Sequence, residues 1–522
     1  DLRAKYTIYT DDKPNAPQTF HSTLEDIHIG KLPIMVKSSI CLLNQHEKTE
    51  KEAREECPID PGGYFIISGS EKTCIAQERA AENTVQCFDT RSSNSRWMYT
   101  AELKSVPFNR SISPKQIALM ISNKDVGFGP PLVIQVPRLK VPIPVLILFR
   151  ALGTRSDKQF CELVKGALFV NQPTDEEEAL VDWSLRGSIH ESRDVLSQEE
   201  ARRYIADSAL YTIVASDQEE LQKKKGLFVT GVLSNDLFPH CIDLVTRLHY
   251  LAYMVARLIR TYLGWDAPSD RDSYLNKRVD LAGVLLNNLY RNYYNKLVKD
   301  MQKQIKKEIT TGPWRSSYDY TKILTNTNVY KVLKATTLEN GLKRALATGD
   351  FGIRHAQNSN KVGVAQVLNR LTYVSGISHL RRVNTPIDKS GKLIPPRYLH
   401  SSSWGYLCPA ETPEGHSVGV VKNLSSMAHV TIASDPTAIL EMLVEKTNRL
   451  TTDPAPFNAN AVKVLLNGCW LGRTEQPLNL YTQLKEAKLR GIINVYTSIV
   501  FNTQSKEILV RTATFPLCIS IL

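Results

Sequence analysis

The apolar positions along this chain change period several times, and each change marks a change of element. Over residues 1–110 they fall in short runs separated by turn residues, so this stretch reads as mainly β. Ile27–Lys37 predicts a short strand, and Asp60-Pro-Gly-Gly63 is a strong turn. Tyr64–Ile67 and Thr73–Ala76 read as the arms of a hairpin around Ser68–Lys72. Residues 155–290 change character. In Ile242–Leu263, the positions Val245, Leu248, Leu251, Met254, Val255, Leu258 and Ile259 recur at helical spacing and predict a core-packed helix. Arg291–Lys307 predicts a two-faced helix. Tyr294, Leu297, Val298, Met301 and Ile305 form its apolar stripe, and Lys296, Lys299, Lys303, Lys306 and Lys307 form the opposite one. The lysines read first as a solvated face and second as a contact with nucleic-acid backbone. The acidic run Asp175–Glu178 and the basic run Lys223–Lys225 read as solvated loops or helix ends, and residues 310–335 as a connector. Further on, Ala438–Glu445 predicts a helix, Val462–Leu466 a strand and Asn467-Gly468 a turn.

Length sets the scale. The 522 residues exceed what one core holds, about 250–300 residues, so several domains are expected. Hydrophobic content of 42% with 23% charged residues is that of an ordinary globular chain. The most apolar segments are Val141–Phe149, broken by prolines, and Ile242–Leu263, interrupted by Arg247, Arg257 and Arg260. Neither supplies the ~20 apolar residues of a membrane-spanning helix, so no membrane partner is expected. The nine cysteines are widely spaced and include no Cys-x-x-Cys, which argues against a zinc site built from this chain alone. They read as reduced thiols, with disulfides a second choice. The chain opens at Asp1 rather than Met, which reads as a fragment.

Charge adds a location. The net charge is +12, which points to an anionic partner such as nucleic acid. Between Phe351 and Ala410 the cations are Arg354, Lys361, Arg370, Arg381, Arg382, Lys389, Lys392 and Arg397, against the single acid Asp388. Pro386, Gly391, Pro395 and Pro396 punctuate this window and imply exposed loops. Basic loops of this kind neutralise phosphates; a solvated loop is the plainer alternative.

The most specific string is Trp404-Gly-Tyr-Leu-Cys-Pro-Ala-Glu-Thr-Pro-Glu-Gly-His-Ser-Val-Gly-Val-Val-Lys-Asn-Leu424. Three others accompany it in order: Asp60–Lys72 with Ile75-Ala-Gln-Glu78; Asp270-Arg-Asp272 with Asn276–Gly283; and Gly341–Gly349 with Val364–Arg370 and Ser378–Pro386. Together they resemble the second-largest subunit of multisubunit DNA-directed RNA polymerases, of the RNA polymerase II type or the related enzymes of large DNA viruses.

That resemblance implies a mixed α+β, multidomain fold. Residues 1–80 and 285–335 would form the protrusion, 81–284 the lobe, 336–424 the fork and 425–522 the start of an external domain. It implies template-directed RNA synthesis from NTPs, carried out jointly with the largest subunit and with smaller subunits, on template DNA and an RNA–DNA hybrid. The loop Thr348–Lys361, carrying Arg354 and Lys361, would approach the hybrid. The loop Asn384–Lys392, carrying Lys389 and Lys392, would approach downstream DNA, with Arg381 and Arg382 as further nucleic-acid contacts. Arg397 and Glu414 are expected as electrostatic partners that tune the active centre, with a structural salt bridge as the alternative. No catalytic residue and no metal ligand is expected in this chain, which alone would be inactive. Mg²⁺ would be held mainly by the largest subunit, and Zn²⁺ would belong to a C-terminal part not contained here. After Arg511 the family's pattern is lost. The location implied is the nucleus, or a virion or cytoplasmic viral factory. The rival reading is a truncated, non-catalytic module that binds nucleic acid or the polymerase.

Overall fold

The computed structural model describes residues 2–8, 18–45, 56–91, 95–108, 113–123, 127–211, 217–316, 325, 328–352, 362–391, 393–454, 458–512 and 518–519. The chain is mixed α+β and divides into two compact units. One comprises residues 1–79, 279–399 and 404–428; the other comprises 80–278, 400–403 and 429–522. The five-part division expected from the sequence is finer than this one.

In the first unit, Phe65–Ile67 and Ser70–Cys74 form an antiparallel hairpin with Ile67 opposite Ser70, and Ala365–Val367 adds on the far side of Ser70–Cys74. The connection is therefore the two residues Ser68-Gly69, tighter than the five-residue link expected. Ala76–Ala80 follows directly and pairs in parallel with Arg382–Asn384, which pairs antiparallel with Val421–Asn423. One continuous stretch thus feeds two sheets. The helices Ala282–Thr310 and Thr336–Thr348 pack on the hairpin, and Phe65, Ile67, Leu285, Leu289, Leu342 and Leu346 close the seam. Farther along the long helix, Leu297 joins Leu24, Val329 and Leu333, with Met301 and Ile305 packed alongside. The lysine stripe faces solvent as the periodicity implies. Tyr294, expected on the apolar face, is 42% exposed. Residues 27–35 form no strand. Pro33 has no N–H to give a ladder, Leu32 and Ile34 lie exposed, and Val36 donates a single bond to the Tyr64 carbonyl.

The second unit holds two five-stranded sheets. One is antiparallel throughout, in the order Ile143–Pro144, Leu132–Gln135, Lys115–Ser122, Trp97–Ser105, Gln86–Asp89. The other runs Asn448–Arg449, Cys469–Thr474, Val462–Leu466, Glu507–Arg511, Ser498–Asn502, with Val462–Leu466 and Glu507–Arg511 parallel. The helix Leu244–Tyr262 contacts strands of both sheets. That placement is why it is buried almost all round rather than on the one face its periodicity marks; Arg247, His249 and Thr261 are buried with the apolar set. Capping boxes start three helices here: Thr174 with Glu177, Ser197 with Glu200, and Asp243 with Thr246. Asp175–Glu178 is the first turn of one of them, where acidic groups favour the helix dipole. Lys223–Lys225 lie inside the helix Gln218–Gly231.

The C-terminus of the helix Asp157–Leu168 is closed by cations from elsewhere in this unit. Arg473 donates to the Gly166 carbonyl at 3.2 Å, Lys463 to Ala167 at 2.5 Å and Arg260 to Leu168 at 3.2 Å. Orphan carbonyls and the negative end of the dipole are met together. Lys463 is buried; burial first, then the neighbouring arginines, pulls its ammonium down to about 8 although Glu507 opposes this. The cysteines whose side chains are described are free thiols. No helix among the described residues is long and apolar enough to cross a membrane.

The Asn467-Gly468 turn joins Leu466 to Cys469 with both residues at positive φ, 49° and 88°. A Cβ on Gly468 would lie 2.0 Å from the Asn83 carbonyl oxygen, whereas at Gly491, φ 74°, nothing lies within 4 Å. Gly491→Ala should therefore cost only left-handed strain, about 1 kcal/mol. Gly468→Ala should cost roughly twice that or more, read as the larger fall in urea midpoint. Equal falls would mean that the Asn83 carbonyl yields freely.

Candidate nucleic-acid interface

The sequence motifs of the first unit meet through side chains. Arg370 forks onto Glu71, with Nε to Oε2 at 2.8 Å and Nη2 to Oε1 at 2.9 Å, and reaches Asp60 Oδ2 at 3.2 Å. Its guanidinium lies 5.0 Å from the centre of the Tyr64 ring, whose hydroxyl donates to Asp60 at 2.6 Å. Burial and then the Asp60 carboxylate push the Tyr64 hydroxyl up to about 12. Asp60 lies below its ordinary value: burial would raise it, but Tyr64, the Gly62 amide and Arg370 outweigh that. Glu71 is lowered chiefly by the Arg370 hydrogen bonds. Asp60 and Glu71 are thus more than turn and hairpin residues; they hold the segment ending at Arg370.

The basic segment is built on the strand Arg382–Asn384. Behind it, buried Glu78 accepts from Thr385 Oγ1 at 2.8 Å and pairs with Lys422 at 3.3 Å. The Ile75–Glu78 and Trp404–Leu424 strings, far apart in the chain, meet at this carboxylate. Just before the strand, Arg381 Nη2 donates to the carbonyls of Ser425 at 2.6 Å and Ala428 at 2.9 Å. Arg381 is therefore committed to the fold. Arg382 is half-buried, and its Nε has no hydrogen-bond partner among the described residues.

Arg397 is the organising side chain. Nε donates to Leu393 O at 3.2 Å, Nη1 to His416 O at 2.7 Å and Val418 O at 3.0 Å, and Nη2 to Lys389 O at 2.9 Å and Gly391 O at 3.3 Å. A guanidinium has five N–H donors, and these five carbonyls take all of them. The group ties the 389–393 loop to the 416–418 turn. Gly419 lets the chains approach: its φ is 68°, and a Cβ there would lie 2.1 Å from the Arg397 carbonyl oxygen. Thr412 closes the base of the turn, accepting from Gly419 N at 2.9 Å and donating to Val421 O at 3.0 Å.

The two glutamates of the string part company. Glu411 accepts from Ser378 Oγ and belongs to the scaffold. Glu414 is exposed at the head of the short turn Gly415–Ser417. The electrostatic pairing expected between Arg397 and Glu414 is not the geometry found: among the described residues no ion pair joins them, because backbone carbonyls occupy the guanidinium. Lys389 is exposed, and its carbonyl, not its ammonium, is held. Arg354, Lys361 and Lys392 lie outside the described residues. Arg370 was not expected at any site; the signal for it was the pair of carboxylates in the Asp60–Lys72 string, some 300 residues earlier in the chain.

The motif Asp270–Asp272 makes contacts through two of its side chains. His400 Nε2 meets Asp270 Oδ2 at 2.7 Å, and Arg271 meets Glu102 at 3.4 Å. His379 sits in the scaffold of the basic segment. Its Nδ1 accepts from Asn369 N at 3.1 Å, which leaves the proton on Nε2 for Gln366 Oε1 at 3.0 Å. Burial, then the charge of Arg382, pulls this imidazole down to about 4. A histidine depressed in this way resists the proton that the unfolded chain accepts near 6.5. Stability from it is whole above pH 6.5 and is lost as pH falls toward 4. His379→Gln should reduce, not abolish, the pH dependence of thermal unfolding in that window, because burial depresses His240 and His249 as well. An unchanged slope between pH 6.5 and 4 would rule His379 out as a source.

Comparison with known proteins joins this geometry to a family. Residues 2–334 match the model described as RNA polymerase beta subunit, 366–430 that of RNA polymerase Rpb2, domain 3, and 464–514 that of RNA polymerase Rpb2, domain 4. The chain is similar to DNA-directed RNA polymerase II subunit RPB2 of Schizosaccharomyces pombe, 35% identical across 99% of this chain and 42% of the relative. It is 36% identical to the subunit of the same name from Encephalitozoon cuniculi, across 93% of this chain and 40% of that one. DNA-directed RNA polymerase subunit 2 of Acanthamoeba polyphaga mimivirus is 29% identical across 98% of this chain and 42% of its own length. The chain thus spans about 40% of the length of these relatives. With one model covering residues 2–334 and two more following in order, the chain belongs to the RNA polymerase beta subunit family.

Proposed function

We propose that the chain supplies part of the second-largest subunit of a multisubunit DNA-directed RNA polymerase, of the RNA polymerase II type or its viral counterpart. In this reading residues 1–80 and 285–335 are the protrusion, 81–284 the lobe, 336–424 the fork and 425–522 the beginning of the external domain. With the largest subunit and smaller subunits, on template DNA and an RNA–DNA hybrid, it takes part in transfer of a nucleoside monophosphate from NTP to an RNA 3′ end. The work is done in the nucleus; the mimivirus relative makes a virion or viral factory the alternative.

The observation that carries this reading is the pair of segments held by Arg397. From that fixed base Lys389 and Glu414 project into solvent. Phosphoryl transfer depends on positioning and charge neutralisation, so a protein surface contributes by placing charges rather than by bond-making. Lys389 would neutralise a phosphate of downstream DNA, and Arg382 would add charge beside it. Glu414 would face the mobile element of the largest subunit. Arg397 acts through the loops it holds and is a positioning residue. Among the described residues no group of three or more His, Cys, Asp or Glu could hold a metal ion. In this reading the Mg²⁺ of the reaction would be held mainly by the largest subunit.

In the assembled polymerase, Arg397→Ala should slow nucleotide addition by on the order of 10- to 100-fold, the scale of a misplaced active-centre loop, with subunit assembly intact. Arg397→Lys, with three donors in place of five, should fall between. Normal elongation by the alanine variant would overturn the assignment. Lys389→Glu should lower the salt dependence of DNA binding by about one phosphate's worth, ~0.9 in log–log slope, whereas Arg381→Ala should lower stability and leave the slope alone. An unchanged slope for Lys389→Glu would remove it from the interface.

A further inference from the structure

The end of the helix Asp157–Leu168 gathers more positive charge than its carbonyls use. Beside it, in the second unit, is a cavity of about 20 Å³, somewhat more than the ~10–15 Å³ that one water needs. Phe169 and Val170 line it together with Lys463, Arg473, Ser505 and Lys506, and among the described residues no carboxylate does. Each of the four polar side chains keeps a donor in reserve. Lys463 spends one of its three ammonium protons on the Ala167 carbonyl, and Arg473 one of its five N–H groups on Gly166. Lys506 spends two, on Asn171 Oδ1 at 2.9 Å and the Ala459 carbonyl at 2.8 Å. The Ser505 hydroxyl oxygen is buried and has no hydrogen-bond partner among the described residues.

The charge is as poorly matched as the donors. No ion pair among the described residues joins Lys463, Arg473 or Lys506 to a carboxylate. Buried Glu507 attracts Lys463, but it also faces Tyr253 and Arg257, while Asp266 is held by Arg257 and Arg260. Glu475 is spent on the Asn458 amide at 3.0 Å. Burial pulls Arg473 below its ordinary value with no carboxylate opposing it. A cation held out of water in this way calls for a counter-ion. Size and donor set choose it. A carboxylate or phosphate carries charge but needs more space than the cavity offers. A water fits but brings no charge, and has two protons of its own to place. A halide ion fits, takes hydrogen bonds from every direction and donates none. We propose that the cavity binds chloride, held by Lys463, Arg473, Ser505 and Lys506. The ion fastens the helix Asp157–Leu168 to the strand Val462–Leu466 and to the turn before Glu507–Arg511, so the second unit is more stable with halide present.

The test follows thermal unfolding of the 522-residue chain as chloride replaces gluconate, which is too large for the cavity, at constant ionic strength. The midpoint should rise by about 2–4 °C at ~200 mM chloride. Ser505→Ala and Lys506→Met should each cut that rise to less than half. The increment is read against the same variant in gluconate, so a variant that starts less stable still decides the question. Crystals grown in sodium bromide should carry an anomalous scattering peak in the cavity. A midpoint indifferent to chloride, with no bromide peak, would mean that water fills the cavity and would overturn the proposal. So would a rise of undiminished size in both variants, which would place the effective ion elsewhere on this basic chain.

Discussion

Long irregular segments carry backbone carbonyls that no helix or ladder satisfies, and in this chain cationic side chains meet that demand. Arg397 does so most completely, with its five donors on five carbonyls. Arg381 holds Ser425 and Ala428. In the second unit Arg150 takes the carbonyls of Ser192 and Val195, Arg247 those of Leu233 and Cys241, and three cations close one helix end. A buried carbonyl left without a donor costs about 1–3 kcal/mol, and a guanidinium answers several at once. Loops that bind a ligand must leave the regular elements yet keep a fixed shape, and this is one chemical means of having both.

The same fact alters how the charge is to be understood. Eight cations against one acid between residues 351 and 410 invite a simple electrostatic reading. Three of the eight serve the fold: Arg370 on Glu71 and Asp60, Arg381 and Arg397 on carbonyls. Among the described residues Lys389 and Arg382 are what remain for phosphates. Net charge measures the field that steers a polyanion toward the protein. It does not count the groups that touch it.

Much of the architecture was legible because it rests on periodicity and on local turn chemistry. The helix at 244–262, the hairpin near residue 65 and the Asn467-Gly468 turn all follow from patterns within a dozen residues. The family was legible because long strings such as Trp404–Leu424 combine rare neighbours in order. The strand expected at Ile27–Lys37 failed because an apolar run says nothing about whether an edge is available to pair with it. The role of Arg397 was hidden for a different reason. Its partners are carbonyls, which every residue possesses, so no residue type at 389, 391, 393, 416 or 418 announces the contact. Arg370 was more readable, since its partners are carboxylates.

A loop fastened through its carbonyls has an unusual dynamic appearance. Amide hydrogen exchange sees only whether N–H groups are engaged, not whether the oxygen side of the same peptide is held. Arg397 grips Lys389, Gly391 and Leu393 by their oxygens. Exchange at Lys389, Gly391 and Leu393, whose N–H groups donate to no backbone carbonyl among the described residues, would register as fast while their atoms stay in place; Ser390, donating to Asp388 Oδ1, is the exception. Solvent exchange and positional order are thus uncoupled here, and a map of protected amides would draw the boundary of the ordered fold too far inward.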